Sequence, residues 1–152
     1  MTVEDNRNAA FDIARLAKRS LSIWSRDLEP EVFDRIEFID IVKNLILTHK
    51  YARVRILLVS PLRSVSEGNR LVEMARGFSS FMEIRLVHAD YQQRPEAFMV
   101  ADQHAYLHRP IASRYEGIAD DNKPSIAVGY VQFFDSVWNK SESASELRRL
   151  HL

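Results

Sequence analysis

The sequence has no cysteine, which excludes disulfides, thiolate nucleophiles and cysteine-bound zinc together. It also has no charge of one sign to spare, because 21 basic side chains face 21 acidic ones. Nonspecific nucleic-acid binders carry a basic excess that neutralises phosphates, so the total argues against a nucleic-acid partner, although a local patch can survive within it. No run of about 18 apolar residues exists, so no stretch is suited to span a bilayer. The opening MTVEDNRNAAFDIA is polar and acidic, unlike a secretory signal. The expectation is a cytoplasmic protein of bacterial type with no membrane association. What is present is ordinary for a globular chain. Of 152 residues, 46% are hydrophobic and 28% charged, enough for one domain with its own core.

Apolar periodicity gives an alternating layout. A helix is predicted over about 5–19, with Ala9, Ile13, Leu16, Ala17 and Ser20 on its inner face. Leu21–Ser25 alternates as a strand, ending in Arg26 and Asp27. A buried helix follows over about 31–49, with a break near Asp34. Val54–Val59 is almost wholly apolar, as in a central parallel strand covered on both faces. Ser64 and Glu67 match a capping box that opens a helix reaching about Ser80. Met82–His88 is the next strand. A hairpin over 97–108, a polar loop through Asp120–Pro124 and a final helix carrying Tyr130, Phe134 and Trp138 complete the pattern. The Ile126–Val128 stretch reads either as a short strand or as the lead into that helix. The expected fold class is α/β, a mixed and mostly parallel sheet with helices on both faces, in a single domain over 1–140. Residues 141–152 read as a tail, either loose or adding a short helix docked through Leu147 and Leu150.

The stretch RPEAFMVADQHAYLHRP, 94–110, places two short apolar strands either side of Asp102 and Gln103. This outline, with the preceding YARVRILLVSP and MEIRLVHAD and the closing VQFFDSVWNKS, resembles one half-module of the phospholipase D superfamily. More narrowly it resembles an uncharacterised bacterial group of degenerate modules, whose members occur alone or attached to an acetyltransferase. In active relatives a His-x-Lys pair precedes Asp by a fixed spacing, and two copies meet at a two-fold axis. One His then attacks phosphorus and the Lys residues hold phosphate oxygens. Counting back from Asp102, the resemblance places the nucleophile position at Pro95 and the phosphate-clamp position at Ala97. Neither side chain offers a nucleophile, a charge or a donor. Phosphodiester cleavage is therefore not expected, and no cofactor or metal is implied. Asp102 is more simply read as a turn residue bonding its own backbone.

Ligands of open α/β sheets sit beyond the C-terminal ends of the parallel strands. Those ends present Arg26, Asp27, Ser60, Arg63, His88 and Asp90, with Arg94 nearby, so Arg26, Asp27, Arg63, His88 and Arg94 form the candidate binding set. The alternative is that these are solvated or ion-paired loop residues. The HRPIASRYEG segment after the hairpin is bulky and basic, and either fills the space a substrate would occupy or adds a small basic surface. His104 and His108 lie roughly 13 Å apart along a strand, too far to share one metal easily, which favours a structural role. Trp24, Phe98, Tyr130, Phe134 and Trp138 fit a core better than a base-stacking platform. The functional expectation is a noncatalytic module that assembles, most simply as a homodimer, with a protein partner such as an acetyltransferase suggested by the resemblance. The alternative is a pseudoenzyme holding a phosphorylated small molecule or nucleic-acid end. Activity through His88 or His108 with Asp27 is a third, weaker reading.

Overall fold

The computed structural model describes residues 1–144. Helix α1, Val3–Arg15, starts at a reciprocal cap in which the Asp5 amide donates to Thr2 Oγ1 and the Thr2 amide to Asp5 Oδ2. Strand β1, Ser20–Ser25, follows. A separate turn then brings the Val32 and Phe33 amides onto the Glu29 carbonyl before α2, Ile36–Thr48. The expected break near Asp34 is present. Strand β2 is Arg53–Leu58. The single helix expected from Ser64 to Ser80 is instead two, α3 at Leu62–Glu67 and α4 at Arg70–Gly77. Gly68, at φ 77°, makes the break, and the Asn69 side chain caps α4 by accepting from the Leu71 and Val72 amides. Ser64 is thus no cap. Its hydroxyl donates to the Asp27 carbonyl at 2.9 Å, tying α3 to the end of β1.

Strand β3, Met82–Leu86, leads through a short turn at Ala89–Tyr91 into the hairpin β4, Ala97–Ala101, and β5, Ala105–Arg109. A third short strand, β6 at Ile118–Asp120, lies in what reads from sequence as loop. Helix α5, Pro124–Trp138, has proline in its first turn, where the missing N–H costs nothing, and this settles the Ile126–Val128 stretch as helix. Strand β7, Glu142–Ser143, pairs with β3, so the segment read as a tail begins inside the sheet. The helix through Leu147 and Leu150 lies outside the described residues.

The seven strands run in the order β6-β5-β4-β1-β2-β3-β7. Only β1–β2 and β2–β3 are parallel, and the other four pairings are antiparallel. The α/β expectation holds, but "mostly parallel" does not. Up to β3 the strands are joined by helices and lie parallel; the hairpin and β6 then extend the sheet antiparallel beyond β1, and α5 carries the chain across the sheet to β7, which lies antiparallel to β3. Helices α1, α2 and α4 bury one face of the sheet, around Phe38, Ile23, Ile56 and Met99. Among the described residues, helix α5 covers the other, around Trp24, Leu57, Phe98 and Phe134. The aromatic residues are core, as their spacing implies.

One carboxylate pins the hairpin. Asp102 sits at φ 57°, a left-handed turn conformation that Asp tolerates better than most residues. Its oxygens accept from the backbone amides of Lys18 at 3.1 Å, Arg19 at 2.9 Å and Ser20 at 2.9 Å, and its own amide donates to the Ser20 carbonyl. The turn reading is right in place but wrong in partner: the carboxylate serves the α1–β1 connection rather than its own backbone. It thereby locks β4 beside β1. Replacing Asp102 with Ala is expected to cost about 2–3 kcal/mol in urea unfolding, the range for hydrogen bonds to a charged acceptor. Asp102→Asn keeps an acceptor and the turn geometry and should lose clearly less; equal losses would contradict this role.

Candidate functional site

The ends of β1, β4 and β5 meet at one edge of the sheet. Beyond Ser25 the chain turns sharply. Leu28 is fully buried at φ 52°, a conformation that costs a non-glycine residue about 1 kcal/mol or more. Two bonds hold it there, from the Leu28 amide to Ser25 Oγ at 2.9 Å and from Asn69 Nδ2 to the Leu28 carbonyl at 3.1 Å. The turn directs Glu29 toward β5. In the hairpin register Ala97 lies opposite Arg109, so both side chains leave the sheet on the same face. Arg109 is 4% exposed and forms a two-pronged ion pair with Glu29, one prong being Nη1 to Oε2 at 3.3 Å. The guanidinium also lies 5.3 Å from the Tyr115 ring.

Gly117 makes room for this arrangement. A Cβ there would meet the His108 carbonyl oxygen at 2.5 Å and Arg109 Cγ at 3.1 Å. Burial pushes the Glu29 carboxyl above its usual range, and the Arg109 guanidinium opposes that shift. Burial, then the Glu29 carboxylate, likewise raises the Tyr115 phenol.

Around this pair lies a hollow of about 240 Å³, lined by Arg26, Asp27, Glu29, Arg63, Arg109, Ala112, Ser113 and Tyr115. Of the residues expected here from sequence, Arg26, Asp27 and Arg63 are brought together. Arg63 reaches Glu31 at 2.9 Å, Glu67 at 3.4 Å and Asp27 at 3.5 Å. Arg26 is exposed and makes no ion pair among the described residues. The lining offers guanidinium groups that can hold an anion, but no histidine, lysine or cysteine for nucleophilic work.

His88 and Arg94 are elsewhere. His88 Nδ1 accepts from the Asp90 amide at 3.2 Å, and its ring packs against Tyr91 at the end of β3. Arg94 lies over the Phe133 ring of α5, its Nε donating to Glu96 Oε1 at 2.6 Å. The other Glu96 oxygen is 3.0 Å from His108 Nε2, and the His108 ring stacks on Tyr130 at 5.0 Å. Neither His88 nor His108 pairs with Asp27, which is bound to Arg63. His104 sits exposed in the β4–β5 turn, apart from His108. Among the described residues no three His, Asp or Glu side chains form a group able to hold a metal ion, and no helix is long and apolar enough to cross a membrane.

A protein-family model described as a domain of unknown function, DUF7931, matches residues 2–150. The chain belongs to the DUF7931 family. No curated protein matches this sequence. Among solved structures, this DUF7931 chain is similar to Nuc of Salmonella typhimurium, a phospholipase D family member, with 14% identity and a TM-score of 0.60 over 90% of this chain and 89% of that one. It is also similar to TrmBL2, an archaeal chromatin protein described as showing a novel mode of DNA binding, with 10% identity and a TM-score of 0.64. That match covers 93% of this chain and 52% of the other, so the DUF7931 chain spans about half the chromatin protein's length. At these identities the likeness shows the fold, which is phospholipase D-like.

Glu29 is the site residue that sequence reasoning missed outright; Arg109 and Tyr115 fall in the HRPIASRYEG segment read as filling the substrate space or adding a basic surface, without the ion pair being foreseen. A signal for Arg109 existed: with the turn centred on 102–104, hairpin pairing puts residue 109 opposite 97. Glu29 had none, since its direction depends on the Leu28 backbone.

Two outcomes are expected for this DUF7931 protein. Arg109→Leu leaves the Glu29 carboxylate buried without its partner and should destabilise by about 3–5 kcal/mol, whereas the double change with Glu29→Leu recovers much of that loss. A second expectation concerns acid. The hydrogen bond from His108, opposed by burial and aided by Arg94, holds the Glu96 carboxyl below its ordinary value of 4.5. A depressed folded-state value contributes stability that is present above about pH 4.5 and lost as pH falls through the folded value. Glu96→Gln should therefore lower stability at pH 7 and converge on the wild type in acid, as followed by urea titrations across pH.

Proposed function

We propose that this protein is a noncatalytic phospholipase D-like module that pairs with a second copy of itself across the sheet edge bearing Arg26, Asp27 and Arg63. The observation that carries the reading is the Arg109–Glu29 pair. It stands beside Ala97, where the resemblance would put a phosphate-clamping lysine, and Arg109 is already neutralised from within the chain. With Pro95 at the nucleophile position and Ala97 at the clamp position, the edge lacks the histidine and lysine that the resemblance assigns to active relatives. Pro95 instead supplies a carbonyl to the Ala112 amide at 2.6 Å, which fastens the segment after β5 over the same edge.

Two features of the rim favour a second copy as the occupant. Leu62 is 75% exposed and Ile111 40% exposed, and each neighbours in sequence a residue that lines the hollow. The rim also carries charges of both signs, Arg26 with Asp27, Glu31 and Glu67. A patch of mixed sign can complement itself about a two-fold axis, which a patch of one sign cannot. Arg26, unpaired in the monomer, would then find a carboxylate across the axis.

That same unpaired Arg26 supports a second reading, a pseudoenzyme that holds a phosphorylated ligand in the hollow. Light scattering coupled to size exclusion separates the two. The assembly reading expects a dimer mass, a monomer for Leu62→Glu with Ile111→Glu, no phosphodiester hydrolysis, and no thermal stabilisation by phosphate esters. A monomer at all concentrations, stabilised by phosphate esters in a manner that Arg26→Ala removes, would establish the second reading instead.

A further inference from the structure

The opposite end of the sheet is built differently. On the face covered by α5, β1 presents Ser20, Ser22 and Trp24, and β2 presents Arg53, Arg55 and Leu57 in matching register. The upper pair, Trp24 and Leu57, lies under α5 in the aromatic core. The next row is Ser22, which is buried, and Arg55, whose guanidinium lies over the Phe134 and Trp138 rings of α5; the last row, part-exposed Ser20 and exposed Arg53, forms the open end. An open groove of about 910 Å³ results, walled by Arg19, Tyr51, Arg53, Arg55 and the exposed turn residues Gln103 and His104.

Its charge is one-sided. Arg55 is paired with Asp135 at 2.7 Å. Arg53 has only carbonyl partners, reaching Ser80 at 2.6 Å, and neither it nor Arg19 pairs with a carboxylate among the described residues. The one carboxylate in the lining is Asp102, whose oxygens are already engaged by three backbone amides. Tyr51 stands at the rim with 68% exposure, and the Lys50 ammonium is 5.6 Å from its ring. The neutral total of the chain conceals this asymmetry.

We propose that this groove binds single-stranded nucleic acid. Arg19 and Arg53 are uncommitted to carboxylates and can take backbone phosphates. The exposed Tyr51 ring offers a stacking surface to an unpaired base, a combination that recognises single strands without sequence preference. A duplex keeps its bases stacked away from such a ring. The groove is open along its length, which suits a chain passing through rather than an enclosed small molecule. The site lies at the far end of the sheet from the rim assigned to self-assembly, so either assignment can fail without the other.

Fluorescence anisotropy of a labelled oligothymidine of about 12 nucleotides, titrated with the full chain at low salt, tests this. The wild type should bind, with log affinity falling against log salt at a slope of about −1.4, as expected for the two phosphate contacts of Arg19 and Arg53 on a single strand. Arg19→Glu should weaken binding by about tenfold or more and flatten that slope. Tyr51→Ala should weaken it by about fivefold or more and leave the slope unchanged, the signature of lost stacking. Both side chains are exposed, and unchanged circular dichroism and melting verify that the variants fold. Absence of binding, equal affinity for a duplex of the same length, or wild-type affinity in both variants would overturn the proposal. So would displacement by inorganic polyphosphate as effective as by unlabelled oligothymidine, with Tyr51→Ala neutral.

Discussion

The ion pair between Arg109 and Glu29 is the constraint on which one end of this molecule depends. A buried pair of this kind seldom adds much net stability, because desolvating two charges offsets most of their attraction. Its consequence is geometric. To meet Arg109, Glu29 must leave a turn in which Leu28 takes a left-handed backbone, and Asn69 must reach back from the start of α4 to hold that turn. The chain beyond Arg109 returns so close to the His108 carbonyl and Arg109 Cγ that it passes with no side chain at Gly117. Three separate segments are thus committed to one guanidinium. A pair removed on one side would leave a buried charge without a partner.

The two ends of the sheet therefore differ in electrostatic character. At the Arg109 end, cations and carboxylates alternate and largely cancel, leaving Arg26 without an ion pair among the described residues and two exposed apolar side chains, Leu62 and Ile111, at the rim. At the Asp102 end, the one lining carboxylate among the described residues is spent on backbone amides, and Arg19 and Arg53 are exposed with no carboxylate partner among those residues. Asp102 links both ends mechanically. By clamping the hairpin turn to the start of β1 it fixes the register of β4, and that register sets Ala97 opposite Arg109 at the other end.

Much of this was legible in the sequence where local pattern and tertiary environment agree. The apolar run at Val54–Val59 announced a central strand because both of its faces are covered. The hairpin was legible because its apolar residues flank a residue suited to a left-handed turn. Arg26, Asp27 and Arg63 could be placed together because strand ends of a parallel core face one way. His88 and Arg94 could not be separated from them by the same rule. Arg94 belongs to an antiparallel strand's approach and folds onto α5, and His88 is held by its own turn at Asp90. Strand β6 and the division of α3 from α4 escaped for opposite reasons. The first has exposed residues and no apolar signal of its own. The second hides a glycine–asparagine break inside a helical period that tertiary contacts interrupt. The partner of Asp102 was out of reach, since nothing local links it to residues 18–20.

The noncatalytic reading requires that the chain's own ion pair close the hollow to anions. Crystals soaked in sodium tungstate, with the anomalous signal of tungsten mapped, give the most direct answer. The prediction is an intact Arg109–Glu29 pair with no tungstate between Arg26, Arg63 and Arg109. A tungstate ordered in that hollow, with Arg109 turned away from Glu29 to bind it, would contradict the account and make this a working phosphate site.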